Sequence, residues 1–245
     1  MPPEAHRRTP YMELIARLGA PDAHPGGAPA SRAFVSFVRR LVPPGARVLE
    51  VGAGAGKTAA RLARLGYCVV AVEREPAFLP ILRRRAERRP KFTVVCADAV
   101  RLPFPDASFD AIVAESVLLF LPPRALRELR RVLRPGGRLF ALELAARKPF
   151  PPALRRAWHA FYGVPGVPTA GAWRRRLVRI GFPPTLSLAV VPLERLLALP
   201  QTPPPPPRSA REAHLFAEHN RLFLPLLSDL YLLRIVAPRP EAPPT

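Results

Sequence analysis

VLEVGAGAGKT, Val48 to Thr58, ends like a phosphate-binding loop and begins like something else. A phosphate loop of the form G-x-x-x-x-G-K-[ST] wraps backbone N–H groups around the phosphates and neutralises them with its lysine. Gly56-Lys57-Thr58 satisfies the end of that pattern, but Val51 stands where the first glycine belongs. A dinucleotide fingerprint, G-x-G-x-x-G, starts at Gly52 and Gly54 and then meets Lys57 where its third glycine is needed. The pattern without a gap is E-x-G-x-G-x-G: Glu50, Gly52, Gly54 and Gly56. Three residues without a Cβ let the backbone come close to a ligand. Lys57 and Thr58 then fall in the first turn of a helix, with no phosphate role.

Outward from this bend the chain alternates strand-like and helix-like segments. ARVLEV is an apolar run ending in the glycines, KTAARLARLG has helical spacing and stops at Gly66, and CVVAVE is a buried strand. PAFLPILRRRAERR is expected as a helix with Pro76 in its first turn. FTVVCAD and FDAIVAE are strands that end in carboxylates. PPRALRELRRVLR puts Leu126, Leu129 and Leu133 on one stripe, and Pro135-Gly136-Gly137 breaks it before the strand RLFALEL. Strands alternating with helices of this length imply an α/β doubly wound domain whose parallel sheet is covered on both faces. Glu73, Asp98 and Glu115 then stand at strand ends, where an open sheet of this kind holds its ligands.

Four segments in this order, VLEVGAGAG, the strand ending at Glu73, ADAVRLPFPDASFD (97–110) and LRPGGRL (133–139), resemble the class I S-adenosylmethionine-dependent methyltransferases. The likeness is to the small-molecule branch that includes quinone-biosynthesis enzymes. It covers Val48 to Leu144 closely and the flanks loosely. It implies a Rossmann-like, seven-stranded, mostly parallel sheet closed by a C-terminal antiparallel hairpin strand. Residues 1–45 would be a helical lid, and 46–240 the methyltransferase domain, with a Pro-rich and helical insertion at about 194–227.

The resemblance also implies S-adenosylmethionine as cofactor, a cationic sulfonium without phosphate. Glu50 would lie near its amino group, or cap the turn. Gly52, Gly54 and Gly56 would form the bend beneath it. Glu73 would grip two ribose hydroxyls, a carboxylate offering acceptors without donors. Asp98, with Ala99, would meet the adenine, and Arg74 would either cover the adenine or point to water. Methyl transfer is a direct displacement, in which alignment supplies much of the acceleration. Catalytic candidates on the acceptor side are Glu115, which also adjoins the cofactor, together with Ser116, and in the lid Tyr11 and His24. For each a plainer reading stays open: Glu115 as a cap, Tyr11 as packing on the stripe Tyr11, Leu14, Ile15, Leu18, and His24 as a turn histidine.

The expected acceptor is a small molecule. An RNA or protein methyltransferase, or a binding protein without catalysis, are the alternatives. A net charge of +20 favours acidic partners, but the basic residues are 35 Arg and 3 Lys beside 35 Pro, a bias of the whole composition, and the arginines are dispersed. No N-P-P-[YF] sequence is present, so nucleic acid is not favoured. No run of about 18 apolar residues offers a membrane span, and the N-terminus lacks a signal-peptide core, so a cytoplasmic protein is expected. Cys68 and Cys96 have no CxxC spacing and are expected as buried strand residues; no metal site is expected.

Beyond Leu144, TAGAWRRRLVRIGF is expected as a helix stopped by Gly181, and TLSLAVVPL and DLYLLRIVAP as the closing antiparallel strands. Between them, five prolines at 203–207 precede the apolar-sided helix REAHLFAEHNRLFLPLL, either a surface arm or an acceptor-pocket wall or dimer contact. Trp158, Phe161, Tyr162 and Trp173 line that pocket or pack in the core. Oligomeric state is left open.

Overall fold

A computed structural model describes residues 9–19, 24–199, 203 and 205–241. Parts of the expected lid (1–8 and 20–23) and of the insertion (200–202 and Pro204) lie outside the described residues. In chain order the elements are α1 (Pro10–Leu18), α2 (Gly27–Arg39), β1 (Arg47–Val51), α3 (Lys57–Arg64), β2 (Cys68–Glu73), α4 (Leu79–Ala86), β3 (Phe92–Cys96), β4 (Phe109–Glu115), α5 (Pro123–Val132) and β5 (Leu133–Ala146). Then come α6 (Pro152–Tyr162), α7 (Ala170–Arg179), β6 (Ser187–Val191), α8 (Leu193–Leu197), α9 (Ala210–Phe223) and β7 (Leu230–Pro238).

The strands form one seven-stranded sheet in the order β3-β2-β1-β4-β5-β7-β6. β1 through β5 pair in parallel, and β7 runs antiparallel between β5 and β6, as the resemblance implied. Side chains alternate across a strand, so each strand serves two cores. Val48, Val69 and Ala71 face a core with Val35 and Val38 of α2, Leu62 of α3 and Trp158 of α6. Leu49, Val51, Val70 and Val72 face the other, with Leu126 and Leu129 of α5 and Trp173 and Leu177 of α7.

α1 begins at an N-cap, Thr9, whose hydroxyl accepts the Met12 N–H, and ends at Gly19 in the left-handed region. Its Leu14 and Leu18 are buried, and Glu13 reaches Arg211 of α9 at 2.8 Å, so the N-terminal helix is tied to the inserted one. α9 itself opens at an N-cap, Ser209, which accepts the Glu212 N–H, while the buried Glu212 carboxylate accepts the N–H of the preceding Arg208 at 2.7 Å.

Three expectations change. α4 starts at Leu79 rather than near Pro76, because Glu75 organises a turn first: its carbonyl accepts the Phe78 N–H and its carboxylate the Ala77 N–H. Pro135-Gly136-Gly137 does not separate helix from strand. α5 already ends at Val132, and the three residues form a bulge inside β5, with Leu133 opposite Phe109 and Arg138 opposite Ala111. Cys68 and Cys96 are on strands but exposed, the first at a strand start and the second on the sheet-edge strand β3.

A Cβ at Gly137 would lie 2.8 Å from the Asp110 carbonyl oxygen and 2.9 Å from that of Arg134, backbone atoms that cannot swing aside. Gly137→Ala is therefore expected to cost about 1–3 kcal/mol, seen in urea unfolding as a lower midpoint at unchanged slope.

Candidate active site

The sheet order reverses between β1 and β4, so the loops leaving these strands diverge and open a crevice at their carboxyl ends. Gly52, Gly54 and Gly56 fill the bend after β1 with φ of 65°, 51° and 76°. They are glycines for different reasons. A Cβ on Gly52 would meet Val117 at 2.5 Å and one on Gly56 would run into Leu82, whereas one on Gly54 would have nothing within 4 Å. All three line one cavity; Gly54 borders open space, while at Gly52 and Gly56 a protein side chain also occupies the place of a Cβ.

That space is a cavity of about 1010 Å³, walled by Glu50, Glu73, Arg74, Asp98, Ala99 and Glu115 as well as the bend. Glu50 is 4% exposed, and its Oε2 has no hydrogen-bond partner. Burial first, then the Glu115 charge, pushes its carboxyl well above the usual carboxylate range; the Ala59 N–H opposes this, Glu73 adds to it, and the Arg61 charge opposes it least. Glu73 is also buried, and three backbone donors hold it: Gly54 on Oε2 at 2.7 Å, Arg74 and Glu75 on Oε1 at 2.8 Å each. A carboxylate has about four acceptor sites, so the open one is on Oε2. The expected grip on two hydroxyls through both oxygens would require Oε1 to release a backbone N–H. Asp98 accepts the Val100 N–H and pairs with Arg74 Nη1 at 3.0 Å. Arg74 lines the cavity with a partly exposed side chain that is held by Asp98.

At the end of β4, Glu115 gathers three other segments. Its Oε1 accepts from Ser31 Oγ of α2 at 2.8 Å, and its Oε2 accepts from Thr58 Oγ1 of α3 at 2.9 Å. His24 Nε2 is 2.9 Å from Ser31 Oγ and 3.4 Å from Glu115 Oε1, and its Nδ1 is 3.2 Å from the Pro25 carbonyl. His24 and Glu115, 91 positions apart in the chain, share one cluster at the cavity wall. The next residue, Ser116, adopts φ 54°, a region that non-glycine residues rarely occupy, and its buried Oγ has no partner.

Beyond Ser116 the cavity adjoins a second chamber of about 350 Å³, with Tyr11, Ile15, His24, Ser116, Phe120 and Tyr162 common to both. Its walls are largely apolar and include Trp158, Phe216, Phe223, Pro203 and Pro205. Tyr11 stacks on Phe120 at 5.7 Å and on His219 at 5.9 Å, and burial pushes its hydroxyl up to about 12, so it keeps its proton at neutral pH. Tyr162 Oη is 2.9 Å from His219 Nδ1, and burial lowers His219 to about 4, leaving it neutral. Trp158 stacks on Tyr162 at 4.2 Å in this wall, whereas Trp173 belongs to the opposite core, where its Nε1 donates to the Leu144 carbonyl.

A family model described as a methyltransferase domain matches residues 49–141. The uncharacterized methyltransferase YodH of Bacillus subtilis (strain 168) is 34% identical over 184 residues, covering 74% of this chain and 78% of that relative. The chain belongs to the class I methyltransferases. A demethylmenaquinone methyltransferase of Clavibacter sepedonicus is 38% identical over 130 residues, and the match spans 52% of each chain. Among solved structures, the [4+2]-cyclase SpnF aligns at a TM-score of 0.73 and 23% identity over 95% of this chain and 94% of its own. Phosphoethanolamine N-methyltransferase 2 of Haemonchus contortus, solved with S-adenosyl-L-methionine, aligns at 0.71 and 17% over 95% and 56%. At those identities the two structures share the fold alone.

In this methyltransferase, sequence reasoning missed Ser31, Thr58, His219 and Glu143. The first three carry no local signal, since they become polar neighbours only through packing. Glu143 did have one: a lone carboxylate in the apolar strand RLFALEL. It is fully buried beneath the loop after β4 and accepts N–H groups from Val117, Leu118 and Leu119 at 3.0, 2.8 and 3.3 Å. It thereby fixes the turn that brings Val117 and Phe120 to the cavity. Burial pushes it up to about 7, against those donors and Arg176.

The folded chain therefore holds the Glu143 proton more tightly than the unfolded chain, whose carboxyl ionises near 4.5. The stability it confers is full below pH 4.5 and is lost as pH rises through 7. Glu143→Gln is expected to abolish this slope, changing the pH 4.5-to-7.5 stability difference by up to about 3 kcal/mol, measured by urea unfolding at each pH.

Proposed function

We propose that this methyltransferase moves a methyl group from S-adenosylmethionine to a small-molecule acceptor held in the apolar chamber. The observation that carries the reading is the buried, unpartnered Oε2 of Glu50 on a cavity wall that also holds Glu73 and Glu115. Burying carboxylates together is costly unless a positive charge joins them. A cationic, phosphate-free donor fits that wall, and the open flank of Gly54 leaves room for it. Glu50 would face its ammonium group, the open site on Glu73 a ribose hydroxyl, and Ala99 with Asp98 its adenine.

When bound, such a donor supplies an electrophilic methyl carbon on positively charged sulfur. The protein's own share is to hold the acceptor in line and keep water out. Tyr11, Phe120, Tyr162 and Trp158 would hold an apolar acceptor, with α1 and α9 as the lid above it. Ser116, shared by donor cavity and acceptor chamber, stands where the two meet.

The nucleic-acid alternative draws less support. Many arginines are engaged by carbonyl oxygens of their own fold: Arg130 by Gly181, Arg147 by Ser228, Arg239 by Arg130 and Arg131, and Arg131 by Leu102 and Phe104. Guanidinium groups engaged by loop carbonyls do not form a phosphate-tracking stripe. Among the described residues no helix is long and apolar enough to cross a membrane.

Calorimetry should detect S-adenosylhomocysteine binding, with no binding of ATP or NAD. Glu73→Ala, which removes a ligand contact and the support of Gly54 together, should weaken it about 10- to 100-fold, about 1.4–2.7 kcal/mol. Incubation with labelled methyl donor should put label into the small-molecule fraction of a cell extract and not into RNA. Label in RNA, or tight ATP binding through Lys57, would reject this function.

A further inference from the structure

We propose that His24, Ser31 and Glu115 form a proton relay that is completed by the proton the acceptor gives up, so that the acceptor carries an O–H or N–H nucleophile. This rests on the methyl-transfer reading above. The hydrogens in the cluster can be counted. His24 Nδ1 faces the Pro25 carbonyl at 3.2 Å, and a carbonyl only accepts, so Nδ1 bears a hydrogen. Two links remain: Nε2 to Ser31 Oγ at 2.9 Å, and Ser31 Oγ to Glu115 Oε1 at 2.8 Å. Each link needs one hydrogen, and the Ser31 hydroxyl brings one. A neutral imidazole with its hydrogen on Nδ1 and an ionised carboxylate bring none.

Both links therefore form together only when one more proton is in the chain. It lies on Nε2, with Ser31 donating to a carboxylate, or on Oε1, with Ser31 donating to a neutral ring. The geometry is that of the loaded relay. Before loading, one short contact lacks its hydrogen, and taking up a proton restores that bond.

Thr58 pins the other carboxylate oxygen at 2.9 Å, which keeps Oε1 turned toward Ser31. Ser31 is 1% exposed, so water does not compete for the bridge. The charged groups around the relay are Glu50 within β1 and Glu73 at the end of β2, Lys57 at the start of α3, and Arg124 at the start of α5, all on the same cavity wall; Glu143 faces the adjoining chamber.

The balance is simple. The acceptor's X–H bond breaks and its electron pair forms the bond to the methyl carbon. The pair of the broken carbon–sulfur bond stays on sulfur. The proton enters the chain from the side of the acceptor chamber, which His24 lines together with the donor cavity, is shared through Ser31 with Glu115, and leaves to solvent. Ser31 is a positioning residue that links the ring to the carboxylate.

The test begins on cofactor-free, ¹⁵N-labelled protein. A hydrogen-bonded Nε2–H signal of His24 is expected on lowering the pH, lost in Ser31→Ala and kept in Ser31→Thr, which preserves the hydroxyl. In turnover, Ser31→Ala should lower kcat about 10- to 100-fold with acceptor KM changed less than about threefold. It should also displace the acidic limb of the pH–rate profile, and Ser31→Thr should restore both. A His24 ring signal indifferent to Ser31→Ala, or a kcat loss with an unmoved pH profile, would overturn the relay. S-adenosylhomocysteine binding, measured on the same variants, separates this from the proposed function: intact binding with an indifferent ring signal sinks the relay alone.

Discussion

The structure turns on a partly buried carboxylate, Glu115, at the point where the strand order reverses. Its two oxygens accept from α2 and α3, and through Ser31 it meets the histidine that precedes α2. An unpaired charge in this place would be expensive, and each hydroxyl brought to it lowers that cost. The N-terminal helix α2 is thus fastened to the sheet by polar contacts beside the cavity as well as by the apolar packing of Val35 and Val38. The same contacts that seat the helix build the chemical wall of the site. On the adjacent strand β5, Glu143 acts in a similar way, holding the loop after β4 by three backbone N–H groups.

Much of the sheet was legible because strand periodicity and glycine stops are local signals. The bend after β1, the carboxylates at strand ends and the last two strands could all be read from runs of a few residues, while the antiparallel pairing of those two strands followed only from the family resemblance. What could not be read depends on packing. Nothing near Ser31 or Thr58 announces that their hydroxyls converge on a glutamate far along the chain. The glycines show the same limit from the other side: Gly52, Gly54 and Gly56 look equivalent as letters, yet Val117 and Leu82 crowd two of them, while at the third only the left-handed backbone demands glycine. The three residues after Leu133 and Arg134 misled because Pro-Gly-Gly reads as a break, whereas the neighbouring strand absorbs it as a bulge and Arg239 bonds to it on the other side.

The arginine content also changes meaning in three dimensions. A formal charge of +20 suggests an outward-facing surface, but a guanidinium has five donors in a planar fork and no acceptor. Arg131 uses that fork on Glu128, Asp106 and two loop carbonyls at once. In a chain rich in proline, which has no N–H to donate, such side chains supply donors that the backbone lacks.

The apolar chamber proposed for the acceptor has walls of mixed origin. Trp158 and Tyr162 come from α6, Tyr11 from the N-terminal helix α1, and Phe216, His219 and the prolines from the insertion, while the donor cavity is built mainly by the sheet's own strand ends. The two compartments share a seam but draw their outer walls from different stretches of polypeptide, so substitutions at Phe216, Phe223 or Pro205 would redraw the contour of one while the glycine bend and its acidic companions stay in place.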